Sequence, residues 1–249
     1  MKDEFEHLLD GGFEKFYVGE WDAAEELYEA ARRLRPDSGR PLVLEGRSRL
    51  MRGRLQEARE KFLDALNVEP TCVEAYEAFA SMFGVFGGDH IFAIRCLLYA
   101  LQLKPERQRT WSLLLRNLEQ LGVPAVLNCA AEMACQRAAG ETEADLGLRC
   151  AIHRALGHRE ELAEEAKRFI ALFPNSRTAE MYGIMAQWAE ETDVEHFEEA
   201  LDEDECDESG WTEAIQQVAE SFEVSEEVRR EIAHLWERFL DGGITAPEV

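Results

Sequence analysis

The side chains best suited to chemistry in this 249-residue chain are the acids of Asp202-Glu203-Asp204-Glu205-Cys206-Asp207-Glu208, the pair His153 and His158, and six cysteines. Counted from Asp202, Asp204 and Glu213 stand where a calcium-binding loop places its third and twelfth ligands. Asp207 then occupies the position where such a loop needs glycine for its turn, and Cys206 replaces an oxygen ligand, so the stretch reads as a solvated or partner-binding acidic loop. His153 and His158 flank Gly157 without the spacing that puts two ligands on one helix face, and the cysteines form no C-x-x-C pair. Cys206 sits among carboxylates that disfavour its thiolate. Neither a phosphate-cradling glycine loop, a nucleophile elbow nor a dinucleotide-binding glycine motif occurs. Catalysis, a metal and a cofactor are therefore not expected, and interest shifts to the elements that would present a binding surface.

The charge is uneven. With 51 acids against 27 bases the formal net charge is -24, which disfavours nucleic acid and anionic membranes as partners. Between Thr178 and Val228 there are 18 acids and no lysine or arginine. No apolar run approaches the roughly 20 residues of a membrane helix, and Met1-Lys2-Asp3-Glu4-Phe5-Glu6 is too acidic for a signal peptide. The scattered cysteines fit free thiols in a reducing compartment, most of them in the core, so the expected location is cytoplasmic.

Three residue classes recur with one step. Gly19, Gly53, Gly88, Gly122 and Gly157 are spaced by 34, 35, 34 and 35 residues; Ala31, Ala65, Ala100 and Ala134 by 34, 35 and 34; Pro36, Pro70 and Pro105 by 34 and 35. Pro174 follows 69 residues later, so one rung lacks its proline, near Ala139 and Gly140. A glycine can close a helix in the left-handed conformation and a proline stops the next one, so each rung reads helix, turn, helix, stop. Alanines at i and i+7 flanking an aromatic at i+4, as in Ala58, Phe62 and Ala65, share one helical face where a neighbouring helix can approach closely. Such hairpins must stack to bury their apolar stripes.

This order resembles the tetratricopeptide repeat. The second rung carries Leu42, Gly46, Ala58, Phe62, Ala65 and Pro70; the first Leu8, Gly12, Ala24, Tyr28, Ala31 and Pro36; the third Tyr76, Ala93, Leu97, Ala100 and Pro105. The fourth keeps Trp111 and Leu114 but has Leu115 for glycine and Leu127 for alanine; the fifth keeps Cys150, Gly157, Ala166, Phe169 and Pro174. The resemblance implies an all-α, right-handed superhelical solenoid of about five helical hairpins over residues 5–176. A capping helix over 177–192, an acidic loop over 193–210 and a C-terminal helix pair over 211–241, bearing Trp211 and Trp236, form the expected extension, followed by a frayed tail.

The resemblance also implies that first helices line a concave groove. Its positions fall on Phe13, Phe16 and Tyr17; on Arg40, Val43, Arg47, Leu50 and Met51; on Arg109, Ser112 and Arg116; and on Arg154. The groove then carries arginine forks that suit an acidic peptide, with apolar anchors at one end; the alternative is a solvated face balanced by acids such as Glu45 and Glu119. Leu9 and Phe13 stand where a carboxylate-clamp subtype of the family carries polar ligands, which disfavours that subtype. The leading expectation is a non-enzymatic protein-binding adaptor or scaffold. A cytosolic chaperone for secreted or assembling clients, and a regulatory or catalytic subunit acting through the acidic third, are the alternatives. The acidic segment 190–208 is expected either to meet a basic partner or to fold back on the chain's own arginines.

Overall fold

The computed structural model describes residues 3–176, 178–191 and 225–248. Among them are twelve α-helices and no strand. The loop 193–210, Trp211 and the first member of the expected C-terminal helix pair lie outside the described residues.

Helices α1 (Glu4–Tyr17) and α2 (Trp21–Leu34), α3 (Arg40–Met51) and α4 (Leu55–Val68), and α5 (Val73–Ser81) and α6 (His90–Leu103) form three hairpins. Then come α7 (Gln108–Leu121) with α8 (Pro124–Cys135), α9 (Glu143–Leu156) with α10 (Arg159–Leu172), α11 (Ala179–Glu191) and α12 (Glu226–Leu240). The chain forms two compact units, Met1–Pro105 with Arg238–Val249, and Glu106–Glu237. In the first, α3 packs on α1, α2, α4 and α5; in the second, α9 packs on α7, α8 and α10, and α10 on α11. This is the all-α solenoid architecture, a hairpin stack in each unit.

The turn inside each hairpin follows from its glycine. Gly53 takes φ +74°, its N–H donates to Leu50 O, and Arg54 N–H reaches five residues back to Arg49 O at 3.0 Å. A side chain with a Cβ adopts that conformation only at a cost. The same left-handed backbone conformation recurs at Gly19, Gly88, Gly122 and Gly157.

The 35-residue steps have local causes. Before Gly88 the helix widens into a π-helical turn, Met82–Gly87, and Asp89 N–H reaches six residues back to Phe83 O at 3.0 Å. A π-helical turn takes up one extra residue within the helix. Between Gly122 and Gly157, α8 has 12 residues where α10 has 14, and a longer connection follows it. In this rung, which lacks the proline, Arg149 ties down the connection: its Nη1 donates to Ala138 O at 2.6 Å and Gly140 O at 2.8 Å, while Nε donates to Glu165 at 3.0 Å. Thr142 and Asp145 then start α9 with a reciprocal capping box.

The small-large-small stripes lie in the core, with Ala24, Tyr28, Ala31, Ala58, Phe62, Ala65, Ala93, Leu97 and Ala100 fully buried. Gly12 and Gly46 supply the matching gaps on the first helices: a Cβ at Gly46 would lie 2.4 Å from Phe62 Cε1, and one at Gly12 2.3 Å from Tyr28 Cε1. Each buried aromatic of this kind contributes about 2–3 kcal/mol through area removed from water. Three of the five described cysteines, Cys72, Cys96 and Cys150, are likewise core, and Cys129 and Cys135 are exposed.

The C-terminal stretch is packed where fraying is expected. Ser225 caps α12 by accepting from Val228 N–H at 3.3 Å, and Gly242 at φ +70° closes it. Ile244 and Pro247 are then buried in the first unit. The Gln102 amide, oriented to satisfy both groups, donates to Ile244 O and accepts from Ile244 N–H at 2.9 Å each, as a neighbouring strand would.

Candidate functional site

The second unit carries a concavity of about 570 Å³ walled by its three first helices, α7, α9 and α11. Arg109 and Arg116 lie seven residues apart on α7, hence on one stripe with Ser112, and Arg154 projects from α9. Arg154 Nη1 pairs with Glu119 at 3.0 Å. Arg116 makes no hydrogen bond or ion pair within the described residues. Partial burial, then the charges of Arg154 and Arg109, push it below the usual arginine range, and only Glu119 opposes that shift. It nevertheless stays a cation at any working pH. Glu143 at the rim is already engaged, accepting from Ser176 Oγ at 2.5 Å and Thr178 Oγ1 at 3.4 Å. Arg109, Arg116 and Arg154 thus line the concavity together with Glu143, and Glu119 is paired with Arg154.

The floor is apolar. Leu148 and Ala151 of α9, Phe169 of α10, and Met181, Tyr182 and Met185 of α11 complete the wall. Gly147 explains how α11 comes so near: a Cβ there would stand 2.8 Å from Tyr182 Oη. The Tyr182 ring lies on Phe169 with centroids 4.0 Å apart, and burial pushes its hydroxyl up to about 12, so it remains a neutral donor. Met181 is 47% exposed, so its thioether is available to a guest.

In the first unit the expected groove residues are more dispersed. Phe13, Phe16 and Tyr17 form their own cluster, with Phe13 edge-on to Tyr17 at 4.8 Å and Phe16 edge-on at 5.6 Å. Phe16 also packs against the core around Phe5, Leu9 and Tyr28. Arg40 is held by Glu6 at 2.7 Å, 34 residues earlier, so the repeat step itself delivers its counter-charge. Arg47 is half-buried and its charge acts on the Tyr28 hydroxyl, which burial holds far above the ordinary phenol range. Leu50 is half-buried, and Met51 and Tyr17 are exposed. Val43 does not face a groove: it is 1% exposed, because α3 is enclosed by four neighbouring helices and its apolar stripe is correspondingly wide.

A second depression, about 410 Å³, is lined by Glu25, Glu29, Glu45, Arg32, Arg49 and Lys61. Its charges largely pair with one another, Lys61 with Glu45 at 2.8 Å and Arg49 with Glu25 at 3.6 Å, as in a surface ion-pair network. Among the described residues no group of three or more His, Cys, Asp or Glu is placed to hold a metal, and no helix is long and apolar enough to cross a membrane.

The sequence places Arg109, Ser112, Arg116 and Arg154 together, and the structure sets all four on one concavity. What sequence reasoning missed is the contribution of α11: Met181, Tyr182 and Met185 are visible in sequence only as the apolar face of a capping helix.

No protein-family model matches the chain, and no curated protein does. Among solved structures it is similar to a thermophilic TPR protein of Thermus thermophilus, 18% identical, with 74% of this chain and 99% of that one covered and a TM-score of 0.54. It is also similar to a tetratricopeptide repeat protein from Parabacteroides merdae, 19% identical, with 94% and 99% covered and a TM-score of 0.43. With its 34-residue step, its glycine-closed hairpins and the first of these likenesses, the chain is built on the tetratricopeptide-repeat fold.

Proposed function

We propose that the protein is a non-enzymatic interaction module, an adaptor or scaffold that holds a segment of another protein against the first helices of its hairpins. The observation that carries this reading is the concavity over α7, α9 and α11, which combines an apolar floor with arginines at its wall. Such a mixture suits a short linear segment: side chains of the guest supply apolar anchors, and the guanidinium groups fix its register. A chaperone role would require an apolar surface without charge selection, and the arginines favour the adaptor reading over it.

Selection of binders from a random displayed-peptide library, followed by hydrogen exchange of the complex, tests the proposal. Protection of amides in α7, α9 and α11 is the expected result. Protection confined to second helices such as α8 and α10, or a library that yields no binder, would overturn it.

A further inference from the structure

We infer that the α7–α9–α11 concavity selects a partner segment in which a carboxylate side chain stands beside a bulky apolar one. This rests on the reading of that face as a binding site and adds the chemistry of its guest.

Two independent features define that chemistry. The first is an uncompensated charge. Arg116 has no ion-pair partner within the described residues, and its neighbours Arg154 and Arg109 repel it. The acid whose charge acts on it, Glu119, is already paired with Arg154 at 3.0 Å. An arriving carboxylate removes that repulsion and takes a planar donor fork, so it gains more here than at an isolated surface arginine. The second is the adjoining floor, where Met181 and Met185 lie one turn apart beside the buried Tyr182 and Phe169. Flexible thioethers adapt to a large side chain of varied shape. A guest with acid alone leaves this floor wet, and a guest with apolar residues alone leaves Arg116 repelled. Both must be present on neighbouring positions of one segment. The occupant is a segment of a separate protein, because the arginines call for opposite charge and a peptide of the guest's kind needs no further part of this chain.

The chain as a whole carries -24, so salt screens a long-range repulsion along with the local attraction. Charge reversal at one residue is therefore a cleaner readout than ionic strength. The test uses the full chain and fluorescently labelled peptides about twelve residues long, built from Glu–Leu pairs, with Gln–Leu, Glu–Ser, Lys–Leu and phosphoserine–Leu counterparts, read by anisotropy. The Glu–Leu peptide should bind, and the Gln–Leu and Glu–Ser peptides should bind at least about tenfold more weakly. Arg116→Glu should cost the Glu–Leu peptide about tenfold or more and gain binding of the Lys–Leu peptide, a swap that a merely unfolded variant cannot show. Met185→Ser should weaken Glu–Leu binding several-fold, and Arg33→Glu on the outer face of α2 should leave it unchanged.

Equal binding of the Gln–Leu peptide would overturn the carboxylate requirement, and a phosphoserine peptide about a hundredfold tighter would overturn the choice of anion. Self-association abolished by Arg116→Glu would assign the face to a second copy. A tenfold rise in peptide affinity on deleting residues 193–209 would assign it to the chain's own acids; either result overturns the proposal. If none of these peptides binds while a library-selected peptide protects the same helices, this inference fails and the interaction module stands; if no peptide of any kind binds, both fail.

Discussion

Replacing Gly46 with alanine tests the close packing that sets the hairpin geometry. The new Cβ would stand 2.4 Å from Phe62 Cε1, 2.7 Å from Cδ1 and 3.2 Å from Ala58 O. Carbon–carbon contact is comfortable from about 3.5 Å, so the ring must retreat by about 1 Å. Phe62 has little room to retreat: it is fully buried and packed edge-to-face with the equally buried Phe79 at a centroid distance of 5.5 Å. Overpacking of this kind costs about 1–3 kcal/mol, offset by about 0.5–1 kcal/mol because alanine loses less backbone entropy than glycine in a helix. Gly11 is the internal control, since a Cβ there meets only Leu27 Cδ1 at an ordinary 3.6 Å. Gly11→Ala should therefore stabilise by about 0.5–1 kcal/mol while Gly46→Ala destabilises by about 1 kcal/mol. Urea titrations of both variants, followed by helical circular dichroism, measure the difference. Adding Phe62→Leu to Gly46→Ala should show a favourable coupling of about 1 kcal/mol, because the smaller side chain vacates the contested space. A Gly46→Ala variant as stable as Gly11→Ala, or strict additivity in the double variant, would refute the reasoning.

Three further outcomes follow from other parts of the fold. Gly53→Ala, at φ +74° with nothing within 4 Å of the added carbon, should cost about 1–2 kcal/mol through backbone conformation alone and show no coupling to Phe62; thermal melting of single and double variants reads this. Gln102→Ala leaves the paired N–H and C=O of the buried Ile244 without partners and should lower stability by about 1–3 kcal/mol, with faster exchange of the Ile244 amide as its signature. Asp145 is held below the usual carboxylate range, first by its hydrogen bond with the Thr142 side chain and further by the Thr142 backbone and Gln108, against the opposing effect of burial. Its stabilising contribution is complete above the unfolded-state value of about 3.9 and is lost as pH falls through the lower folded-state value. Asp145→Asn should flatten the acid side of a stability-versus-pH curve, and an unchanged acid limb would exclude Asp145 as its source.

The residues that were legible in sequence are those whose role is set within a rung. Gly53 closes a turn by its own backbone, and Ala58, Phe62 and Ala65 share a face by helical spacing, so the pattern alone identifies them. The 35-residue steps were equally visible, yet their causes were not. One extra residue can be absorbed by a π turn, as at Met82–Gly87, or by a shortened helix and a lengthened loop, as around Arg149, and nothing in a count distinguishes these. Val43 was misplaced because burial of a helical position depends on how many neighbours enclose the helix, a property of the stack and not of the stripe.

The same distinction governs the arginines. Arg40 and Arg154 each meet an acid one repeat earlier, Glu6 at 2.7 Å and Glu119 at 3.0 Å, so the periodicity that exposes a first-helix face also tends to neutralise it. Arg116 stands one turn before Glu119 on α7, but that acid's ion pair is with Arg154. A net gain for an incoming carboxylate therefore arises from the fold's competition for one glutamate. Changing Glu119 to glutamine should then free Arg154 as well and strengthen binding of an acidic segment several-fold, whereas any weakening would show that Glu119 serves the guest by holding Arg154 in place.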